Sequence, residues 1–257
     1  MTYPSAPQAQ DGAWRQAGWL LLAGGILAAA STALHPVTLD PGDATAVLDA
    51  VRRAPGRWIA VHVALGVGVT AWSLGWFAVW QGLQAAGRAR WSGAGAMLAV
   101  ASLAVWIPLL ALEAAGLPLL ARATVPGRSP LWWSVAWPAT LAGGYAATWL
   151  YWLAGIAAAW DLAAGPAARG APHPPGHAAR QPGPAVPAGG DPACDGRPDP
   201  GPRMPLGLSL AALLPGLPGM ALAWFWPAAA APVLLVSLIP GALWALALAW
   251  RMATGRT

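Results

Sequence analysis

The sequence predicts an all-α protein, a polytopic transmembrane helix bundle with six spans. The chain is 57% hydrophobic and only 9% charged. Residues 17–34, 58–83, 92–120, 131–160, 206–226 and 229–250 are each apolar for long enough to cross a bilayer, for which about 18 residues suffice. Tryptophan collects where these stretches end, at Trp14, Trp19, Trp58, Trp91, Trp132, Trp133, Trp160, Trp224, Trp226 and Trp250. An indole keeps its ring in lipid and its N–H in water, so this is the aromatic belt of two membrane interfaces.

The elements follow in order. Residues 1–13 are polar, carry Pro4 and Pro7, and are expected to form a disordered N-terminal tail. Residues 14–164 hold four spans. In the loop after span one, Asp40 and Asp43 precede Ala44 to Arg53, an acidic start and a basic end that complement the dipole of a short helix. Val47, Leu48 and Val51 give it one apolar edge; the expectation is a surface helix, able to pack at the interface or lid the bundle. Residues 84–91 and 121–130 are short links, so spans two, three and four are expected to be antiparallel neighbours.

Residues 165–205 contain 12 Pro and 8 Gly in 41 positions, too few apolar residues to fold a core, and read as a disordered cytoplasmic linker. Residues 206–257 then supply a two-span hairpin and a short tail. Its spans carry Pro215-Gly216-Leu217-Pro218-Gly219 and Pro240-Gly241. Paired interruptions at mid-membrane depth are a pointer to a transport site. Neither carries a polar side chain, which favours two kinks tolerated by helix packing.

Composition also excludes. The segments outside the spans are too short or too rich in Pro and Gly for a soluble catalytic domain. All 14 basic residues are Arg, scattered singly or in pairs at span ends, where they meet anionic headgroups; no basic patch exists for nucleic acid. A single cysteine, Cys194, rules out an internal disulfide and Cys-based metal motifs. No phosphate loop, dinucleotide fingerprint, zinc-protease motif or nucleophile elbow is present. Arg15, Arg88, Arg90, Arg169, Arg180, Arg197, Arg203, Arg251 and Arg256 fall on one side, against Arg52, Arg53, Arg57, Arg122 and Arg128 on the other. The excess places both termini in the cytoplasm, in a cell (inner) membrane.

The candidate chemistry lies in three residues. Glu113 is the only glutamate and sits inside span three; His35 and His62 are the only histidines outside the linker. The topology puts all three in the outer leaflet. Helical spacing continues each into a small or polar stripe: Trp106, Ser102, Ala99 and Gly95 below Glu113; Gly66, Val69 and Ser73 below His62; Ser31, Ala28 and Gly24 below His35. Such stripes face neighbouring helices. Pro108 is expected to kink span three and free a carbonyl near Ala104. His35 precedes Pro36, which biases it out of helical geometry.

Two imidazoles and a carboxylate can relay a proton, bind a metal, or hydrogen-bond structurally. The expectation is a non-enzymatic protein that binds or moves a small solute or proton, with cofactor and metal unknown. The alternative is a membrane-embedded metal- or haem-binding redox protein using His35, His62 and Glu113. Elsewhere, Trp72, Trp76 and Trp80 form a packing stripe, His173 and His177 a weak ligand pair, Asp191, Asp195 and Asp199 lack calcium-loop spacing, and Asp161 is expected to cap the inner end of span four.

Overall fold

The structure is a computed structural model that describes residues 6–36, 42–164, 201–226 and 230–255. Of these residues 86% are helical and none lies in a strand. The helices are α1 (Ala6–Leu34), α2 (Ala44–Arg53), α3 (Pro55–Ala85), α4 (Ser92–Ala111), α5 (Leu117–Ala123), α6 (Leu131–Ala163), α7 (Leu206–Leu213), α8 (Gly216–Phe225) and α9 (Ala230–Thr254). One π-helical turn, Leu112–Gly116, joins α4 to α5. Cys194, His173, His177, Asp191, Asp195 and Asp199 lie outside the described residues.

Five stretches are long and apolar enough to span a membrane: Gly12–Leu34, Pro55–Ala85, Ser92–Ala123, Leu206–Phe225 and Pro232–Thr254. The sixth expected span is helical, as α6, but falls outside this set. Its many Trp, Tyr, Gly and Thr residues lower its mean hydropathy. Outward-facing Ile26, Val63, Val67, Met97, Val135 and Val236 are exposed, as lipid contact requires.

Small residues set the helix spacing. A Cβ on Gly24 would lie 2.7 Å from the Gly68 carbonyl oxygen, so α1 and α3 cross almost backbone to backbone. On its other side α1 meets α9, where a Cβ on Gly18 would lie 2.3 Å from the Ala253 nitrogen. The core of Trp14, Leu21, Trp76, Leu83, Ala158, Leu162, Leu213, Trp244 and Leu248 draws on α1, α3, α6, α7 and α9.

The two Pro-Gly steps behave differently. Pro215 separates α7 from α8, whereas Pro240 lies inside a continuous α9. Both following glycines face one indole: a Cβ would lie 2.0 Å from Trp152 Nε1 at Gly216, and 2.7 Å from Trp152 Cζ2 at Gly241. These steps form a socket for a side chain of α6.

At the end of the bundle where α4 begins, Asp161 is 1% exposed. Its Oδ2 accepts from the N–H groups of Arg90, Trp91 and Ser92 at 2.8, 2.8 and 2.7 Å. The expected cap of its own helix is thus corrected: Asp161, near the end of α6, caps the start of α4, where three N–H groups lack helical acceptors. Arg88 reciprocates through Nη2, which donates to the carbonyls of Asp161 and Leu162 near the end of α6, at 3.3 and 2.9 Å. Met204, placed by composition in the linker, is buried at this end, its N–H donating to the Leu162 carbonyl at 3.4 Å.

Candidate functional site

At the opposite end the structure brings His35, His62 and Glu113 together. Each arrives by a different local device. His35 lies just past the last turn of α1, before Pro36, and its N–H returns to the Thr32 carbonyl at 3.2 Å. Arg57, in the first turn of α3, donates to the Leu34 carbonyl at 2.7 Å and ties the end of α1 to the start of α3. One turn further into α3 is His62.

Glu113 is positioned by the π turn. Leu117 N–H bonds the Leu112 carbonyl, five residues back, instead of the Glu113 carbonyl that an α-helix would use. The next donor along is Pro118, which has no N–H. The Glu113 carbonyl therefore has no main-chain donor, and the Trp58 indole N–H supplies one at 2.9 Å. The same indole stacks on His62, centroids 4.6 Å apart and planes at 29°. His35 meets both rings edge-on, at 4.8 Å from Trp58 and 4.9 Å from His62.

Hydrogen bonding then fixes where protons can be. His62 is 2% exposed. Its Nδ1 lies 2.7 Å from the Trp58 carbonyl, which can only accept, so Nδ1 carries a hydrogen. Its Nε2 lies 2.6 Å from Glu113 Oε2 and 3.3 Å from His35 Nε2. A neutral His62 protonated on Nδ1 has a bare Nε2, and a carboxylate oxygen is bare as well. A contact of 2.6 Å between them requires one proton on that line. It belongs to His62 as an imidazolium or to Glu113 as a carboxylic acid, while His35 faces the same nitrogen from the other side. The Glu113 side chain, 17% exposed, keeps an edge open to the surroundings.

Burial is the largest influence on His35 and pushes its pKa below the ordinary histidine value of 6.5; the neighbouring His62 pushes the same way, and Glu113 opposes.

Helix α2 covers this end, as the lid that its apolar edge permitted. Asp43 Oδ1 caps it by accepting from Thr45 and Ala46 N–H at 2.9 and 3.0 Å. Ala44, Val47, Leu48 and Val51 are buried against Trp58, Leu117, Ala121, Trp133 and Trp137. Arg52 donates to the Ala121 and Thr124 carbonyls at 3.0 and 3.2 Å, capping α5, and pairs with Asp49.

Sequence reasoning missed Trp58, read only as a belt residue, and the π turn. The signals were Trp58 one helical turn before His62 and Pro118 five residues after Glu113. Of the stripes below the site, Gly24, Ser31, Val69, Ser73, Gly95, Ala99 and Ser102 are buried. Compared with family models, curated proteins and solved structures, the chain matches none.

Proposed function

We propose that the protein is a six-span bundle of a cell membrane, with both termini in the cytoplasm, whose His62, Glu113 and His35 take up and pass on a proton at the outer leaflet, alone or with a small solute. The observation that carries this reading is the geometry at His62 Nε2, 2.6 Å from Glu113 Oε2 and 3.3 Å from His35 Nε2. A buried imidazole with one nitrogen fixed on a carbonyl and the other between a carboxylate and a second imidazole is arranged to gain and release that proton. In this reading α6 is the sixth span; at about 1.5 Å per residue its 33 residues outreach a hydrocarbon layer of about 30 Å.

The metal or haem reading draws less support. His62 Nε2 and Glu113 Oε2 are in direct contact at 2.6 Å, a pairing that satisfies both groups without a metal between them.

Infrared difference spectra of the protein in lipid, recorded against pH, test the proton reading. A carboxylic C=O band that titrates together with imidazole bands, and that Glu113→Gln removes, is the expected result. A spectrum in which Glu113→Gln changes nothing sinks it. Orientation is checked separately: an impermeant thiol reagent on intact cells should leave Cys194 unlabelled until the membrane is opened, and labelling of sealed cells reverses the topology.

A further inference from the structure

We propose that the groove between α6 and α8 seats one acyl chain of a glycerolipid, with the Tyr145 hydroxyl donating to that lipid's ester carbonyl. The inference rests on α6 being a membrane span and not on the proton reading of His62 and Glu113.

The groove has a volume of about 250 Å³ and is walled by Tyr145, Ala146 and Trp149 of α6 and by Ala221, Trp224 and Phe225 of α8. The rings of Tyr145 and Trp224 meet across it, centroids 6.2 Å apart and planes at 50°. Ala146 and Ala221 contribute only methyl groups, which leaves the space between the helices unfilled. Trp149, Trp224 and Phe225 are 41%, 46% and 84% exposed, so the groove opens on the outside of the bundle, where a span meets lipid. Water does not fill an apolar space of this kind, because it needs polar partners there. A hydrocarbon chain needs none.

One polar atom of the wall selects which chain. The Trp149 indole N–H already donates to the Leu217 carbonyl at 3.1 Å and pins α6 to α8 one turn below Tyr145. The Tyr145 hydroxyl has no hydrogen-bond partner among the described residues. A hydroxyl left unpaired in hydrocarbon is costly, so the occupant that suits this groove brings an acceptor.

Depth identifies the acceptor. Exposed Trp91, Trp160 and Trp250 mark the membrane boundary at the Asp161 end. Tyr145 lies 16 residues before Asp161 on α6, about 24 Å away, in a hydrocarbon layer about 30 Å thick. It therefore sits just inside the opposite boundary. A helical side chain leans toward the N-terminus of its helix, and the N-terminus of α6 points to that boundary, so the phenol is carried outward. Glycerolipid ester carbonyls lie at this edge of the hydrocarbon. From there the chain runs inward past Ala221 and Ala146 to Trp149.

The test compares two phospholipids of the same headgroup and chain length, one ester-linked and one ether-linked, offered to the full chain in mild detergent and read as bound lipid by native mass spectrometry. The expected result is one retained ester lipid per chain, preferred over the ether lipid roughly five-fold, the weight of one hydrogen bond. Tyr145→Phe should abolish the preference, and Ala146→Leu should lower the retention of both lipids. Equal retention by wild type overturns the inference, as does a preference that survives Tyr145→Phe. A retained molecule without an ester, such as a quinone, or displacement by soluble glycerophosphate overturns it as well. In a Cys194→Ser background, Ala146→Cys in liposomes should resist a water-soluble thiol reagent. Labelling there overturns the reading of α6 as a span, whereas protection combined with equal retention overturns the lipid site alone.

Discussion

Each end of the bundle holds a partly or fully buried carboxylate, and the two are held in opposite ways. Asp161 is surrounded by main-chain N–H groups, donors that cannot move, rotate or change their proton. Glu113 faces one imidazole, a partner that can lose or gain a proton and is itself approached by a second imidazole. Backbone donors make an anchor; a titratable donor makes a site. The scaffolds differ accordingly: Asp161 joins the end of one regular helix to the start of another, while Glu113 sits in a π turn whose free carbonyl is held by Trp58.

The contrast predicts a graded set of responses. Asp161→Ala leaves three N–H groups of α4 without their acceptor and should cost roughly 3 kcal/mol, since each orphaned buried donor costs about 1–3 kcal/mol. Thermal unfolding in detergent measures it, and melting at the wild-type temperature would show that the anchor contributes nothing. Trp58→Phe keeps the stack on His62 but removes the N–H to the Glu113 carbonyl, an expected loss of about 1 kcal/mol. The infrared carboxyl band should shift in the same variant, and an unmoved band would detach the π turn from the site.

Glu113→Gln should change stability by less than about 1 kcal/mol, because an amide still hydrogen-bonds His62. It should nonetheless abolish the coupled titration, so a large drop in melting temperature would place Glu113 among the anchors. The smallest effect is a pH slope. The folded chain holds the His35 proton less tightly than the unfolded chain does, so the stability that neutral His35 contributes is present above pH 6.5 and is lost as pH falls below that value towards the lower pKa of the folded chain. His62, Glu113 and Arg57 are the charged or titratable groups around it. His35→Asn should flatten the decline in melting temperature between neutral and mildly acidic pH; an unchanged slope would assign it to other groups.

The helices, the nearness of His62 and Glu113 and the inward faces of Ser73 and Ser102 were legible because they follow from the order of the spans and from helical spacing. The short helix Ala44–Arg53 was legible from its end charges. Other features depend on a partner remote in sequence or an offset of one residue. Asp161 finds its donors some 70 residues earlier in the chain, so nothing local identified its role. Pro118 is one of 27 prolines and nothing local sets it apart, whereas Pro108, which lies deeper in span three, is accommodated within the continuous helix α4. Trp152 as the occupant of the Gly216 and Gly241 socket required knowing which helix lies between them. Residues 131–160 read as a span like the other five, yet α6 falls below them in mean hydropathy, since the tryptophans that pack it count as barely apolar.

The seat of α1 between α3 and α9 has a consequence for how the chain is made. Gly18 closes against Ala253, a residue synthesised more than 200 positions later. At about 5–20 residues per second, that face of α1 waits on the order of ten seconds or more for its partner after leaving the ribosome. During that interval the groove beside Ala17 and Gly18 must be filled by lipid or by the insertion machinery. Assembly of this part of the bundle therefore requires α9 to dock into a groove laid down more than 200 residues earlier.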